Sequence, residues 1–569
     1  MPLFYGRKAI SLTSFYFMVM VREILFVDNN LKKTNIMKFI SKLFFTVFLM
    51  LECVMASASN RSFELVQSQN PVVQDKRKTV KILCFGNSLT QDSFGYIPFI
   101  LKNVAPDVDV TIGIAYISGC TLQQHLANFL DKDTVLDGRT YSPKNYLFYK
   151  NVNAEPWSYI SCDVSSILAD EEWDIVTFQQ NSGYSVRDYD RYHKPYINTL
   201  HELLLTELGR DVEIAWNLIH GANSASASTL LDNWCKVVEN AKSVTENTNT
   251  TIVFPYGTAV QNLRTLYFID DVGDTGFLLA DGGHLQDGLG CLCAAYANTL
   301  ALLKAIGINN VNIVGDNTRI DLSFVLKNKI PGTNLGESRT VVGINELNVY
   351  MAQVAAVKAV ENPYQVTDLF EYVPDYRLKV SSAGYATMYL DFTAIIPSDV
   401  QVYTASRVEG CMLMMEPVKG VVPANTGVII KAEEGTYSFV PCKEVLEAID
   451  DNLLSGTVAD TIIKPADGTV AYVLSYVDGV IGMYTAGLNS DGAFKNNANK
   501  AYLILDESVS DTQNMSNRYS LNFSGTTSVS DTVDSAESPR RVYYTLDGQC
   551  VNNPVHGIYI VNGNKVLVK

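Results

Sequence analysis

The chain is poor in positive charge. Its 569 residues include 44 Lys and Arg against 60 Asp and Glu, which gives a formal net charge of −16 and a pI near 4.9. A domain that binds phosphate backbones needs a basic face, and the sequence has no cluster of Lys and Arg of that kind. The composition therefore argues against nucleic acid as a partner.

Sequence patterns for metals and nucleotide cofactors are also missing. The ten cysteines are scattered without a repeated Cys-x-x-Cys pair, and Cys291 and Cys293 are too close together for zinc ligands. No His-Glu-x-x-His, P-loop or glycine-rich dinucleotide pattern occurs. We therefore expect neither a metal nor another cofactor. A disulfide between Cys411 and Cys442 is left open by the sequence.

The apolar segment near the N-terminus, Leu43–Leu51, is too short for a comfortable membrane span. It follows a short basic stretch, Met37–Lys42, and precedes the small residues Ala56-Ser57-Ala58, which is the order found in a cleavable signal peptide. We expect translation to start at Met37, so that residues 1–58 comprise an upstream extension and a signal peptide. A retained N-terminal anchor is the alternative.

Residues 80–370 have the pattern of an α/β domain, preceded by a polar linker at 59–79. Apolar strand-like segments alternate there with helical ones, which favours βαβ units and a mainly parallel sheet covered on both faces. The expected strands are 80–85, 108–115, 174–178, 212–216 and 251–254, and the helical patterns between them include 195–208 and 230–241.

From about residue 376 the pattern becomes that of an all-β structure. Short strand-like segments such as Tyr385–Phe392 and Gly427–Lys431 are separated by turn residues at short intervals, as in a β-sandwich. The expected divisions are an all-β accessory domain at 376–523, a linker rich in Ser, Thr, Gly and Asp at 524–541, and a short β-rich tail at 542–569.

Two polar segments supply the residue types of a nucleophilic active site. Ser88 directly follows the first strand, and ligands of α/β sheets bind at the carboxyl ends of strands. Asp281 and His284 lie three residues apart, close enough for the carboxylate to hold one imidazole nitrogen and fix the tautomer of the ring. Taken separately, each segment is equally compatible with an ordinary surface turn.

Together these segments resemble the blocks of the SGNH (GDSL-like) hydrolase superfamily. The first block of that superfamily centres on Gly-Asp-Ser-Leu and its last block is Asp-x-x-His, which match Gly86-Asn87-Ser88-Leu89 and Asp281-Gly282-Gly283-His284. The glycine of the second block matches Gly119, and the asparagine of the third matches Asn181. Two positions depart from the pattern, because Asn87 and Ser182 stand where the superfamily usually has aspartate.

The resemblance implies a flavodoxin-like three-layer hydrolase domain with a mainly parallel sheet. It also implies a catalytic triad of Ser88, Asp281 and His284 without a metal. The oxyanion of the reaction would be held by the backbone N–H groups of Ser88 and Gly119 and by the side-chain amide of Asn181.

The remaining histidines of the α/β region receive separate expectations. His220 follows the strand at 212–216 and is a candidate for contact with substrate. His193 and His201 flank a predicted helix among polar neighbours, so we expect them to face solvent.

Segments outside the α/β domain bear on the location of the protein. The segments 382–387 and 422–427 resemble an accessory module of exported Bacteroidota proteins, and 557–563 resembles their C-terminal sorting or attachment segments. Within the tail, Asn562-Gly563 predicts a hairpin turn. Together with the signal-peptide pattern, these resemblances imply a protein of the periplasm, the outer surface or the medium, with possible attachment through the tail.

Three functions follow from the resemblance and the domain arrangement. The first is an exported esterase that removes O-acetyl groups from carbohydrates, so that its partner would be an acylated glycan or another small ester. The second is a lipase or lysophospholipase, which would need an apolar groove for the acyl chain. The third is a non-catalytic, surface glycan-binding protein with a degenerate esterase domain, against which the presence of all three triad residues argues.

Overall fold

The computed structural model describes residues 79–222, 226–269, 276–281, 283–315, 321–328, 330, 341–507, 517–523, 543–545, 550–551, 557–561 and 564–568. The predicted upstream extension and signal peptide at 1–58, residues 59–78 of the predicted linker at 59–79, the linker at 524–541 and the turn residues Asn562 and Gly563 lie outside these ranges.

The predicted α/β domain contains a sheet of seven strands. The first nine strands in the described part of the chain are β1 (Thr79–Gly86), β2 (Asp109–Tyr116), β3 (Thr134–Leu136), β4 (Arg139–Tyr141), β5 (Tyr146–Val152), β6 (Ser158–Cys162), β7 (Ile175–Phe178), β8 (Glu213–Asn217) and β9 (Thr250–Phe254). The order in the sheet is β6-β5-β2-β1-β7-β8-β9, while β3 and β4 form a separate two-stranded ribbon.

Five of the seven strands pair in parallel, and at one edge β5 pairs antiparallel with β2 and β6 pairs antiparallel with β5, so that β5 alone runs in the opposite direction. β2, β1, β7, β8 and β9 are the parallel set, and β5 and β6 are the antiparallel pair. The five predicted strands coincide with the parallel set to within a residue or two. From β1 the chain first adds a neighbour on one side and then crosses to the other, which opens a crevice at the carboxyl ends of the strands.

Helices connect the strands and cover the sheet. Their bounds are α1 (Ser88–Phe94), α2 (Ile97–Val104), α3 (Leu122–Leu130), α4 (Val164–Asp170), α5 (Ser182–Ser185), α6 (Tyr189–Tyr192), α7 (Lys194–Leu208), α8 (Ala227–Asn247), α9 (Tyr256–Leu263), α10 (Leu289–Ala305), α11 (Leu322–Lys327) and α12 (Glu346–Glu361). Within the described residues, no helix combines the length and the apolar character that a membrane crossing requires.

Helix α10 is buried on nearly all sides. It packs against α1, α9 and α12, and its interior-facing residues include Cys291 and Cys293, which are 3% and 0% exposed. Both cysteines are therefore small core residues, as their apolar neighbours predict.

The region after residue 370 is β-rich, as the sequence predicts. A short 3-10 helix, Phe370–Tyr372, precedes β10 (Tyr376–Val380), β11 (Tyr385–Met388), β12 (Ala394–Ile395), β13 (Gln401–Glu409), β14 (Met412–Val418), β15 (Val421–Val422), β16 (Val428–Lys431), β17 (Gly435–Pro441), β18 (Leu454–Thr457), β19 (Thr461–Ile463), β20 (Thr469–Val477), β21 (Val480–Thr485), β22 (Phe494–Asn496), β23 (Lys500–Asp506) and β24 (Arg518–Phe523). They form sheets of four, nine and two strands.

The tail adds a sheet of four short strands. These are β25 (Tyr543–Tyr544), β26 (Cys550–Val551), β27 (Gly557–Val561) and β28 (Asn564–Val568), in the order β26-β25-β27-β28. β27 and β28 pair antiparallel with Val561 opposite Asn564, on either side of the predicted turn residues.

One apolar cluster spans the α/β region and the first part of the β-rich region, while later strands pack around a separate cluster that includes Leu413, Tyr472 and Leu503. The main cluster of buried residues runs from β1 into the β-rich region, where it includes Leu378, Met388 and Phe392. The hydroxyl of Tyr267 accepts from the Thr393 amide at 2.8 Å and donates to the Cys442 carbonyl at 3.0 Å. Cys442 and the buried Cys411 are both free thiols, so the disulfide left open by the sequence is not formed.

Four histidines are buried in the α/β region: His125, His193, His201 and His220. The expectation that His193 and His201 face solvent is wrong, since they are 0% and 4% exposed. The ring of His193 stacks on Tyr189, and that of His201 packs against Phe178 at 5.7 Å between centroids. Burial lowers the pKa of His193 and of His201 to about 4, and lowers the pKa of His125 to about 3.

We expect the protein to lose stability as the pH falls from 7 towards 5. Buried histidines with pKa values of about 3 to 4 stay neutral in the folded state, while unfolded histidines bind protons below about pH 6.5. The unfolded state then binds more protons, so stability is lost as the pH falls through that window, at up to roughly 3 kcal/mol per histidine. Asp391 partly offsets this loss of stability. Burial raises its pKa to about 6, so the folded state binds a proton there more readily than the unfolded state.

Urea unfolding at pH 7, 6 and 5 measures the effect as the slope of the unfolding free energy against pH. The variant His201→Gln is expected to take up about one proton fewer on unfolding than the parent protein. A free energy of unfolding that is constant from pH 7 to pH 5 would contradict the burial of these rings.

Candidate active site

Three of the predicted site residues follow neighbouring parallel strands. Ser88 comes after β1, Gly119 after β2 and Asn181 after β7, and these strands are adjacent in the order β2-β1-β7. The side-chain amide of Asn181 donates to the Gly119 carbonyl at 3.2 Å, and that of Asn87 donates to the Cys120 carbonyl at 3.0 Å. The sheet therefore brings all three to one place at its carboxyl edge.

A chain of two short hydrogen bonds joins Ser88, His284 and Asp281. The Ser88 Oγ lies 2.8 Å from Nε2 of His284, and the other ring nitrogen, Nδ1, lies 2.7 Å from Oδ2 of Asp281. An ionised carboxylate only accepts hydrogen bonds, so Nδ1 carries the proton and Nε2 is left to accept from the Ser88 hydroxyl. This is the arrangement in which an imidazole can remove a proton from a serine.

The turn that carries Asp281 and His284 is closed by the Asp281 side chain itself. Its Oδ1 accepts from the amides of Gly283 at 3.0 Å and His284 at 2.8 Å, while Oδ2 holds the imidazole. Two backbone bonds clamp the base of the turn: the Ala280 amide donates to the His284 carbonyl, and the Gln286 amide to the Leu278 carbonyl. One carboxylate thus shapes the turn and orients the ring.

These hydrogen bonds also determine the charge of Asp281. Burial is the largest single influence and raises its pKa, but the hydrogen bonds from the His284 ring and from the amides of His284 and Gly283 together outweigh it. The pKa of Asp281 is consequently lowered. The group is ionised at neutral pH, which is the state that stabilises an imidazolium beside it.

Three candidate hydrogen-bond donors follow the neighbouring strands β1, β2 and β7. Ser88 is the first residue of α1, so its N–H has no acceptor inside the helix. Gly119 adopts a left-handed conformation with φ +61°, and its amide has no acceptor among the described residues. Asn181 caps α5 through Oδ1, which accepts from the Tyr184 amide at 2.9 Å and so turns Nδ2 towards Gly119.

A network of buried side-chain amides begins at Asn87, the residue before Ser88. It was not predicted from the sequence. The Oδ1 of Asn87 accepts from the Leu89 amide at 3.0 Å and from Nε2 of Gln179 at 2.9 Å. Gln179 in turn accepts from Nδ2 of Asn217 at 2.6 Å. The only sequence signal was polar residues placed directly after apolar strands.

This network explains why asparagine, and not the aspartate usual in the superfamily pattern, stands at position 87. The Nδ2 group of Asn87 donates to the carbonyl of Cys120, next to Gly119. An aspartate has no proton there to donate, so in this chain the asparagine amide ties the end of β1 to the turn that follows β2.

Two buried side chains hold the His284 turn in place. His220 is 0% exposed, and its Nε2 lies 3.1 Å from the Gly283 carbonyl. Asp92, on α1, accepts from the Leu285 amide through Oδ2 at 3.0 Å. The two groups therefore bind the residues on either side of His284, and Asp92 was not anticipated from the sequence.

His220 thus lies beneath the turn instead of at its surface, which differs from the expected contact with substrate. Burial, reinforced by the positive charge of nearby Arg264, lowers its pKa to about 3. The ring is neutral at physiological pH and donates its Nε2–H to the Gly283 carbonyl.

Among the described residues, no group of three or more His, Cys, Asp or Glu side chains is arranged to hold a metal ion. The chemistry that this geometry can perform is attack by an activated hydroxyl on an electrophile, with nearby donors for the negative charge that develops.

Comparison with known proteins adds one family match. Residues 81–313 match the model of the family described as "Domain of unknown function (DUF4886)". No curated protein matches the chain.

Several solved structures are similar to the chain at low identity. A DUF4886 family protein from Bacteroides uniformis ATCC 8492 is 23% identical, with a TM-score of 0.39 over 52% of this chain and 99% of that one. A catalytic mutant of Axe2, an acetylxylan esterase from Geobacillus stearothermophilus, is 16% identical, with a TM-score of 0.26 over 42% of this chain and 96% of that one.

We expect His220→Phe to slow the reaction of Ser88 with a fluorophosphonate probe. Phenylalanine fills the space but leaves the Gly283 carbonyl without its donor, which costs about 1–3 kcal/mol and loosens the turn that carries His284. The loss corresponds to roughly tenfold to a hundredfold in labelling rate, measured by mass spectrometry of the Ser88 peptide.

The variant His220→Gln, which keeps an N–H donor, should recover part of the rate. His201→Phe is the matched control, because it removes another buried histidine that does not touch the turn. Equal labelling rates for the His220→Phe and His201→Phe variants would mean that His220 does not position His284.

Proposed function

We propose that the protein is an exported serine esterase that hydrolyses O-acetyl esters of carbohydrates through an acyl-enzyme intermediate. The observation that carries the proposal is the hydrogen-bonded chain from Ser88 through His284 to Asp281. Export is supported by the basic, apolar and small-residue pattern of residues 37–58.

In the first half of the reaction Ser88 becomes acylated. As Oγ bonds to the ester carbonyl carbon, its proton moves to Nε2 of His284 and the carbonyl π electrons move to oxygen. The tetrahedral intermediate then collapses, the bond to the alcohol oxygen breaks, and the proton on Nε2 passes to that oxygen. Asp281 stays ionised and stabilises the imidazolium in between.

In the second half water regenerates the serine. His284 accepts a proton from a water molecule while the water oxygen attacks the acyl carbonyl, and the same proton returns to Ser88 Oγ as the acyl bond breaks. The products are the free carboxylic acid and the original enzyme.

The oxyanion of both intermediates would be held by the amides of Ser88 and Gly119 and by Nδ2 of Asn181. Such groups are effective because they are already in place before the charge develops. Two of them are fixed here, because Ser88 opens a helix and the Asn181 side chain is oriented by its capping bond to Tyr184.

A carbohydrate acetyl ester is favoured by the residues around the serine. The rim of the site near Gly119 and Asn181 includes the small polar side chains of Ser118 and Ser182. Such a rim suits a hydroxyl-rich substrate with a short acyl group better than a long apolar chain.

We expect the protein to release acetate from 4-nitrophenyl acetate and from acetylated polysaccharides, and Ser88→Ala to abolish both activities. The substitution removes the hydroxyl that would form the acyl bond, whereas Ser182→Ala, which removes the hydroxyl of the residue after Asn181, should retain activity. Acetate release is measured for each protein on acetylated xylan, glucomannan and pectin, and a series of longer 4-nitrophenyl esters is run in parallel.

The outcomes separate the three functions. Equal rates for the parent and the Ser88→Ala variant would remove Ser88 from the mechanism. Faster cleavage of long-chain esters than of acetate would replace the proposal with a lipase, and glycan binding without hydrolysis would replace it with a binding protein.

We also expect Asn181→Asp to lower kcat by about a hundredfold to a thousandfold. Aspartate keeps an oxygen for the capping bond to the Tyr184 amide, so α5 remains capped, but it has no N–H to offer an oxyanion. The readout is kcat on 4-nitrophenyl acetate, with thermal unfolding as the check on folding. A variant that is correctly folded and fully active would exclude Asn181 from the oxyanion hole.

A further inference from the structure

A cleft lies where the α/β region meets the β-rich region. Its volume is about 860 Å³, and its lining includes Arg264, Phe277, Tyr389, Asp391 and Asn425. The size is within the usual range for small-molecule and oligosaccharide sites, roughly 300–1,000 Å³.

Tyr389 is held rigidly at the wall of this cleft. Its amide donates to the Asn499 carbonyl at 3.1 Å, and its own carbonyl accepts from the Asn499 side chain at 3.1 Å. Its ring lies directly on Gly456 of β18, where a Cβ atom would come within 2.3 Å of the ring. A fixed aromatic side chain offers contact area at little entropic cost, as binding sites require.

Polar side chains accompany the ring. The Tyr389 hydroxyl is 3.4 Å from Oδ1 of Asn425, an exposed residue with φ +56°. Arg264 and Asp391 line the same cleft. An aromatic ring beside planar amide, carboxylate and guanidinium groups suits the apolar face and the hydroxyls of a sugar.

Asp391 is partly buried at the wall of the cleft. Burial raises its pKa to about 6, although its own backbone amide and the Asn345 side chain both act to lower it. A buried carboxylate is costly unless it is well supplied with donors, and sugar hydroxyls are donors of the right kind.

The cleft begins close to the candidate active site. Phe277 lies four residues before Asp281, so their Cα atoms are at most about 14 Å apart. Arg264 donates through Nη2 to the Gly221 carbonyl at 3.4 Å, next to His220, which supports the His284 turn.

From this placement we infer that the cleft binds the sugar chain of the substrate beyond the acetylated unit, with Tyr389, Asp391 and Asn425 as its contacts. The inference rests on the proposed function. It assigns to the β-rich region a part in substrate recognition, because two of these residues follow β11 and the third precedes β16.

The test compares a polymer with a small ester. KM and kcat are measured for the acetylated polysaccharide on which the protein is most active and for 4-nitrophenyl acetate. The variants are Tyr389→Ala, Asp391→Asn and Asn425→Gly, the last of which keeps the left-handed backbone that glycine tolerates. Tyr476→Ala is the matched control, because it removes a 59% exposed tyrosine on β20, which does not line the cleft.

We expect each cleft variant to raise KM for the polymer by about tenfold, as the loss of one good contact does. The kcat on the polymer and both parameters on 4-nitrophenyl acetate should stay unchanged, and Tyr476→Ala should change nothing. An unchanged KM for the polymer in the Asp391→Asn and Asn425→Gly variants would overturn the inference, even if the Tyr389→Ala variant failed to fold.

Direct binding distinguishes this inference from the proposed function. Calorimetric titration of the Ser88→Ala protein with a panel of xylo-, manno- and galacturono-oligosaccharides reports on the cleft without any hydrolysis. Binding that is lost in the Asp391→Asn background would support the cleft even if the parent protein hydrolysed no ester. The absence of binding across the panel would overturn the cleft and leave the esterase proposal standing on its own kinetics.

Discussion

The bond between Ser88 Oγ and His284 Nε2 joins residues 196 positions apart in the chain, and the rest of the α/β region serves to keep that distance at 2.8 Å. The serine end is set by the sheet, because Ser88 directly follows the central strand β1. The histidine end is set by the Asp281 turn, which precedes the long buried helix α10 in the chain. Small displacements of either end would separate the two atoms, so both are anchored several times.

The anchors are polar groups buried beneath the site. Asn87, Gln179 and Asn217 link the ends of β1, β7 and β8 through their side-chain amides. His220 and Asp92 fix the residues on either side of His284. The side-chain amides of Asn87, Gln179 and Asn217 are hydrogen-bonded to one another, and a buried network of this kind permits few alternative arrangements. The site is therefore rigid for reasons that lie outside the residues that would touch a substrate.

The sequence predicted the features that depend on residues close to one another in the chain. The parallel strands are short apolar segments bounded by polar residues, so all five were predictable within a residue or two. β5 and β6 were missed because their exposed and buried residues give no clean pattern: β6 is exposed along most of its length. The segment Tyr385–Phe392 was predicted as one strand, whereas β11 ends at Met388 and the chain bends there towards the α/β region.

The relations between distant residues were harder to predict. The four residues Ser88, Gly119, Asn181 and His284 were found because their order along the chain resembles a known superfamily, and the structure brings them together. His193 and His201 were assigned to the surface from their polar neighbours in sequence, but aromatic rings from other elements cover both. Nothing in the local sequence of Asp92 indicates that its carboxylate meets the amide of Leu285, 193 residues later.

The apolar cluster that spans the α/β region and the first part of the β-rich region limits where the chain can be cut into fragments that fold. The ring of Phe392 lies 5.8 Å from that of Phe268, and both belong to the same buried cluster as β1. Cutting the chain near residue 370 would expose that apolar surface on both fragments, and fragments of this kind tend to aggregate. The first part of the β-rich region thus belongs to the same folding unit as the α/β region, and evolution could not have exchanged it as freely as a module tethered by a linker.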